Sequence, residues 1–301
     1  MRTATVIYNP ISGMGSARKK IAALKAGLER CGFRVQLAGT AHRGDATALA
    51  SSLKQSTSLL VVVGGDGTLN EVINGLGPGS PNVAVLPTGT GNVMAKELVL
   101  PKNIDGICRM VSQGQSRKLD VATVGSRRFL LMASIGFDAQ VTLILSSERK
   151  GCIGLHSYTG PIIRTLLRYR PPRLHVEIDG GRTSRVGSLV IISNVSSYGG
   201  PLRVAPDAVP DDGLLDICVF KGNTRSGILR YFWGAWWGRV KMLDDVEYLR
   251  AREITVTSDR KVPVQADGDP AGFTPVTFRL EKWGIPFLVP HSEPSNVCRE
   301  A

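Results

Sequence analysis

Residues 59–75 read Leu59-Leu60-Val61-Val62-Val63-Gly64-Gly65-Asp66-Gly67-Thr68-Leu69-Asn70-Glu71-Val72-Ile73-Asn74-Gly75. Five consecutive apolar residues predict a strand buried on both faces, as in a parallel sheet. The glycines then force a tight turn, and the rest of the stretch reads as the start of a helix. Glycines let a backbone approach a ligand closely, and the amides of a first helical turn point at it; phosphate is the usual guest. Asp66 sits in that turn, where a bare phosphate binder avoids negative charge. Its carboxylate makes sense beside Mg²⁺ or a substrate hydroxyl. The plainer reading is a sharp turn with an N-capping Asp.

Outward from this stretch, residues 1–125 alternate strand and helix, the pattern of a doubly wound α/β sheet. Strands are expected at Ala4–Tyr8, Arg34–Ala38, Leu59–Val63 and Val83–Leu86. Helices are expected from Ala17 to Cys31, from the His42–Ala46 segment to Lys54, after the glycine turn, and near Val93–Leu98. Past Val121 short alternating segments take over: Arg128–Ala133, Leu174–Ile178, Ser188–Ser193, Leu215–Phe220, Glu253–Thr257, Val262–Gln265 and Val276–Leu280. These predict an antiparallel sheet or β-sandwich, interrupted by helices over Ile153–Arg170 and Thr224–Lys241. Pro286–Pro290 reads as a last strand returning to the first domain. The expected domains are 1–125, completed by 284–301, and 126–283.

The chain has 301 residues, 43% hydrophobic, with 34 glycines and 17 prolines, which excludes a disordered or fibrous class. A net charge of +12 favours anionic partners. Five scattered cysteines without CxxC spacing argue against a disulfide framework or zinc site and fit a reducing cytoplasm. The first residues enter a strand pattern without a signal peptide, and no apolar run reaches the ~20 residues that span a bilayer. The expectation is a cytoplasmic protein, at most peripheral to a membrane. No nucleic-acid partner is expected, since only net charge would support one.

Two further glycine turns follow expected strands, Asn9–Gly15 and Thr88–Asn92. In a doubly wound sheet the carboxyl ends of the strands gather on one edge, so three such turns can wrap one triphosphate. GxxxxGK[ST] is absent, and Gly13-Met14-Gly15 lacks the third glycine of GxGxxG.

Asn9-Pro10-x-Ser12-Gly13-x-Gly15, the run Gly64–Leu76 and Gly89-Thr90-Gly91-Asn92 resemble the diacylglycerol kinase catalytic family, which includes bacterial lipid kinases and sphingosine kinases. The resemblance continues through Leu119-Asp120, Ser134–Ala139, Asn194, Tyr198–Gly200, Ala205–Ala208, Asp211–Asp216 and Asp267-Gly268-Asp269. It implies an α/β nucleotide-binding domain followed by an antiparallel β-sandwich, and an ATP- and Mg²⁺-dependent kinase acting on a lipid hydroxyl. Diacylglycerol and a sphingoid base are both candidates for that acceptor. By matching positions, ATP contacts would come from Asn9, Ser12, Gly13, Thr40, Gly64, Gly65, Asp66, Gly67, Thr68, Leu69, Asn70 and Thr90. Asp66 would act through Mg²⁺, with Asp120 in the carboxylate network. The general base would come from Asp267 or Asp269, where Asp269 replaces the family's commoner Glu. A structural Mg²⁺ would map to Asp212 and main-chain oxygens of Val209 and Leu214. Val93 stands where the family carries a further Asp. The alternatives are an NAD kinase-like enzyme and a non-catalytic nucleotide or lipid sensor.

The segment 225–241 sets Trp233, Trp236 and Trp237 among Arg225, Arg230, Arg239 and Lys241. Such a helix packs a domain core or rests on a membrane surface with anionic headgroups. A homodimer is left open.

Overall fold

A computed structural model describes residues 2–12, 16–53, 56–148, 159–199 and 202–291. The first half is built from β1 (Arg2–Tyr8), α1 (Ser16–Arg30), β2 (Phe33–Gly39), α2 (Asp45–Ser51), β3 (Thr57–Gly64), α3 (Asp66–Gly75), β4 (Asn82–Pro87), α4 (Val93–Glu97), α5 (Ile104–Gln113) and β5 (Gln115–Val124). Strands β2, β1, β3 and β4 lie in that order and all run parallel. Leu59 through Val63 are fully shielded, as an apolar run in a parallel sheet requires. They pack with Leu24 and Leu28 of α1, Val72 and Ile73 of α3, and Ile107 of α5 in one core.

The second half holds β6 (Arg127–Phe129), β7 (Met132–Ile135), α6 (Phe137–Glu148), α7 (Thr159–Arg168), β8 (Leu174–Ile178), β9 (Thr183–Gly187), β10 (Leu189–Ser193), β11 (Ser197–Gly199), β12 (Leu202–Arg203) and β13 (Leu215–Phe220). It continues with α8 (Arg225–Trp236), β14 (Val246–Ala251), β15 (Glu253–Ser258), β16 (Pro263–Ala266), β17 (Asp269–Phe273) and β18 (Val276–Val289). An antiparallel sheet of order β14-β13-β10-β7-β16-β17 faces β9-β8-β15-β18, with β5 and β6 alongside β18. Between them Phe129 and Phe278 meet edge to face at 6.3 Å, surrounded by Val176, Val190, Ile192, Ile217 and Ile254. The outer face of β10 and β13 is covered by Tyr231 and Ala235 of α8. Both strands are therefore buried on both sides.

One strand serves both halves. β18 pairs antiparallel with β5 from Phe278↔Val124 to Val289↔Gln115, antiparallel with β15 at its start, and parallel with β4 at Phe287↔Val83. Val276–Leu280 and Pro286–Pro290, read as separate segments, thus belong to a single 14-residue strand that ends at Val289. The register shifts between Leu280 and Gly284, a bulge that bends the strand between the two sheets.

Two other expectations need correction. Arg128–Ala133 is not one strand: β6 pairs with β5 and β7 with β10, so the chain changes sheets at Leu130–Leu131. Helices α5 and α6 were not expected, and α6 starts within the Ser134–Ala139 motif. The expected helix Ile153–Arg170 is seen over Thr159–Arg168, with its earlier part outside the described residues.

Candidate active site

The sheet order sets the carboxyl ends of β1, β3 and β4 side by side, and their turns are tied together. The Asn9 amide donates to the Val63 carbonyl at 3.1 Å and the Thr88 amide to the Gly64 carbonyl at 2.9 Å. Thr88 Oγ1 donates to Ser12 Oγ at 2.9 Å, and Asn9 Oδ1 accepts from the Ile11 amide at 3.1 Å. Thr40, after β2, joins this rim through its amide, 2.9 Å from the Tyr8 carbonyl. The structure thus gathers Asn9, Ser12, Thr40 and residues 64–70 on one edge, with Thr90 exposed at its lip. Gly13 lies outside the described residues.

The glycines of two turns are needed to let those turns meet. A Cβ on Gly89 would lie 2.6 Å from Gly65 Cα, and one on Gly65 would lie 3.1 Å from Gly89 Cα. Gly67 instead borders open space, with nothing within 4 Å of its would-be Cβ. Asn92 closes the second turn, accepting from the Gly89 amide at 3.0 Å and donating to the Gly89 carbonyl at 2.6 Å.

Asp66 does not cap its own helix: the N-cap of α3 is Gly65, without a side-chain bond. The Asp66 carboxylate turns instead to the start of α4, accepting from the Met94 amide at 3.4 Å, with the Asn92 and Val93 amides also facing it. Burial raises its pKa above the ordinary value, and these amides oppose that rise only in part. Among the described residues it has no ion pair. Val93 is packed in the first core, so an apolar contact replaces the family's additional carboxylate.

The Asp267-Gly268-Asp269 turn joins β16 to β17, with Asp267 and Gly268 at φ 49° and 80°. The two acids have different surroundings. Asp267 Oδ1 accepts from the Leu131 and Met132 amides at 2.9 and 3.0 Å. Its Oδ2 accepts from the Leu130 amide at 2.9 Å and from Asn70 Nδ2 at 2.8 Å. Burial pushes its pKa up, while these four donors pull it down. Asp269 is partly open to solvent and is paired with Arg43 and Arg127, each at 2.7 Å. Asn70 is the hinge of the arrangement. It sits on α3 directly after the glycine turn, bonds Asp267, and accepts from Arg127 at 3.0 Å. The glycine rim and the acidic hairpin are therefore one continuous network.

Asp120 belongs to another cluster. Its Oδ2 accepts from the Gly213 amide at 2.7 Å, and its own amide donates to the Pro210 carbonyl at 2.7 Å. Burial raises its pKa, with Asp212 and Asp211 adding repulsion. Asp212 accepts from the Leu214 amide at 3.1 Å and is matched by the Arg250 guanidinium, while Asp211 is held by Arg117. Among the described residues no group of three His, Cys, Asp or Glu side chains is placed to hold a metal ion. Asn194 links the clusters, donating to the Asp120 and Leu130 carbonyls at 3.1 and 2.9 Å.

Sequence reasoning missed Arg43 and Arg127, the two cations on Asp269. They lie outside the glycine and acidic motifs, and only the fold brings them to the hairpin. It also left open whether the aromatic helix is core or surface. In α8, Tyr231 and Ala235 face inward, while Leu229, Phe232, Trp233 and Trp236 are exposed, with Trp237 just beyond the helix 69% exposed. No helix among the described residues is long and apolar enough to cross a membrane.

Residues 3–124 match the model of the diacylglycerol kinase catalytic domain. Residues 132–288 match that of the YegS C-terminal NAD kinase beta sandwich-like domain. The chain is 29% identical to a diacylglycerol kinase of Bacillus subtilis (strain 168) over 282 residues, covering 92% of this chain and 93% of the relative. It is 29% identical to that of Staphylococcus saprophyticus over 293 residues, covering 96% of each. A crystal structure of a diacylglycerol kinase from Bacillus anthracis (strain Sterne) shares the fold at TM-score 0.74 and 22% identity, covering 96% of this chain and 97% of that one. With both domain models matched in order and the glycine rim joined to the acidic hairpin, the chain belongs to the diacylglycerol kinase catalytic-domain family, an enzyme family of lipid kinases.

Proposed function

We propose that this protein transfers the γ-phosphoryl group of ATP to the hydroxyl of a glycerolipid such as diacylglycerol. The observation that carries this reading is Asn70, which ties the glycine rim to the Asp267 hairpin and so brings Asp269 close to that rim. The rim amides and the first turn of α3 would hold the triphosphate. Asp269, partly open and held by two arginines, is the group that would take the acceptor's proton. Arg43 and Arg127 keep that carboxylate in place and would meet the charge of the transferred phosphate. Asp267 is the anchor of the hairpin, since its four donors leave it little capacity to accept a proton from substrate.

Asp66 fits a divalent ion: it is a carboxylate drawn into the protein with no cation beside it among the described residues. Mg²⁺ there would neutralise phosphate oxygens of the bound nucleotide. Asp212 fits a structural ion poorly, because Arg250 already neutralises it and Leu214 occupies its other oxygen. The exposed aromatic face of α8, flanked by Arg225, Arg230 and Arg239, would rest on a membrane with anionic headgroups.

The test is transfer of labelled phosphate from ATP with Mg²⁺ to diacylglycerol, sphingosine or NAD. Labelled phosphatidate, lost in Asp269→Asn, supports the proposal. Labelled NAD alone, or nucleotide binding without any product, refutes it.

A further inference from the structure

Away from the glycine rim, α6, α7 and the approach to β16 border a half-open cavity of about 390 Å³. Its lining carries Arg164, Arg168, Arg170, Arg260 and Lys261 and no acidic side chain. Glu148, outside the lining, pairs with Arg164, and Arg260 donates to the Arg170 carbonyl. Among the described residues Arg168, Arg170 and Lys261 have no carboxylate partner. Cations held around one concavity repel one another and raise its potential, and a bound anion relieves both.

A second observation points the same way. Thr165, only 3% exposed, lines the cavity, and its hydroxyl has no hydrogen-bond partner among the described residues. A buried donor without an acceptor is unfavourable, and the Thr165 oxygen, shielded as it stands, would gain one by a turn of the side chain toward an anion in the cavity. Tyr169 also lines the cavity, its phenol kept neutral by burial, and among the described residues makes one long bond, of 3.4 Å, to the Ser188 carbonyl. Asp138, whose charge reaches Tyr169, is bonded by Ser134, Gln265 and Tyr198.

The geometry points to a second phosphate site in this cavity, separate from the nucleotide rim, where arginine forks, Lys261 and the Thr165 hydroxyl hold a phosphate mono- or diester. Guanidinium groups match phosphate oxygens in shape as well as charge. The same chemistry comes from two sources, an anionic phospholipid headgroup or a soluble phosphate. Ile163 and Leu167, exposed on α7 beside the cavity, suit the acyl region below a headgroup.

The test uses the full chain. Calorimetry measures binding of inorganic phosphate and glycerol 3-phosphate. Sedimentation measures binding to phosphatidylcholine vesicles with and without phosphatidylglycerol. The double variant Arg168→Gln with Lys261→Gln is expected to weaken one of these interactions about tenfold or more, with ATP affinity unchanged. Loss of the soluble ligands assigns the site to a soluble phosphate; loss confined to anionic vesicles assigns it to a headgroup. Thr165→Val, which keeps the side-chain shape, is expected to weaken the same probe without lowering the melting temperature. Arg34→Gln with Lys102→Gln removes equal charge elsewhere on the surface. An equal loss in that control overturns the site, as does unchanged binding in the cavity variants or no binding by the unaltered protein.

Discussion

The division of labour between the hairpin acids can be tested by comparing Asp267→Asn with Asp269→Asn. In Asp267→Asn one carboxylate oxygen becomes an NH₂ group. Each Asp267 oxygen accepts two hydrogen bonds, so two N–H donors then face another donor. An orphaned buried donor costs about 1–3 kcal/mol, so the pair costs about 4 kcal/mol. Removing a charge that burial disfavours offsets part of this. At roughly 2–4 °C per kcal/mol, the variant should melt about 10 °C below the unaltered protein in circular dichroism. Asp269 is paired at the edge of solvent, where an ion pair contributes about 0–1 kcal/mol. Asp269→Asn should therefore melt within ~2 °C of the parent while losing phosphoryl transfer by about 100-fold or more. An Asp267→Asn protein that melts like the parent but has lost turnover would refute the assignment.

Other perturbations separate packing from binding. Gly89→Ala forces a Cβ toward Gly65 and should cost about 1–3 kcal/mol, with nucleotide affinity, read by a fluorescent ATP analogue, falling about tenfold or more. Gly67→Ala meets nothing in the fold and should stay within ~0.5 kcal/mol of the parent in urea unfolding. Desolvation of the Asp138 carboxyl raises its pKa above the ordinary value. A carboxyl raised in the folded state contributes stability below its unfolded pKa and loses it as pH rises through the folded one. Asp138→Asn should thus melt higher than the parent at pH near 7, and the gap should close toward pH about 4. Replacing Trp233 and Trp237 with Ala should reduce co-sedimentation with anionic vesicles about fivefold or more without changing the melting temperature by more than ~2 °C; unchanged sedimentation would remove α8 as the docking face.

The sequence was most legible where one residue pattern has one structural solution. Leu59–Val63 could only be a strand buried on both faces, and the three glycine turns announced a shared edge. The Asp267-Gly268-Asp269 motif forms the turn of the β16–β17 hairpin, and the turn that reverses the chain also presents Asp269. Less legible was anything set by tertiary pairing. The change of sheet at Leu130–Leu131 leaves no mark in an apolar run that could serve either sheet, and it is fixed by the Asp267 carboxylate gripping three successive amides. The partners of Asp66 depend on where α4 begins, and Arg43 reaches Asp269 across two folding units.

Strand β18 has a consequence for how this molecule holds together. Its bulge lets one ribbon of hydrogen bonds with β5 continue from the parallel sheet into the sandwich. A break in either half strips that ribbon of partners in the other, so the free energy of each half is drawn partly from its neighbour. The two halves should melt in a single cooperative transition, and a proteolytic cut after Leu280, which severs β18 between the two sheets, should destabilise both halves together rather than only the one that loses its strand.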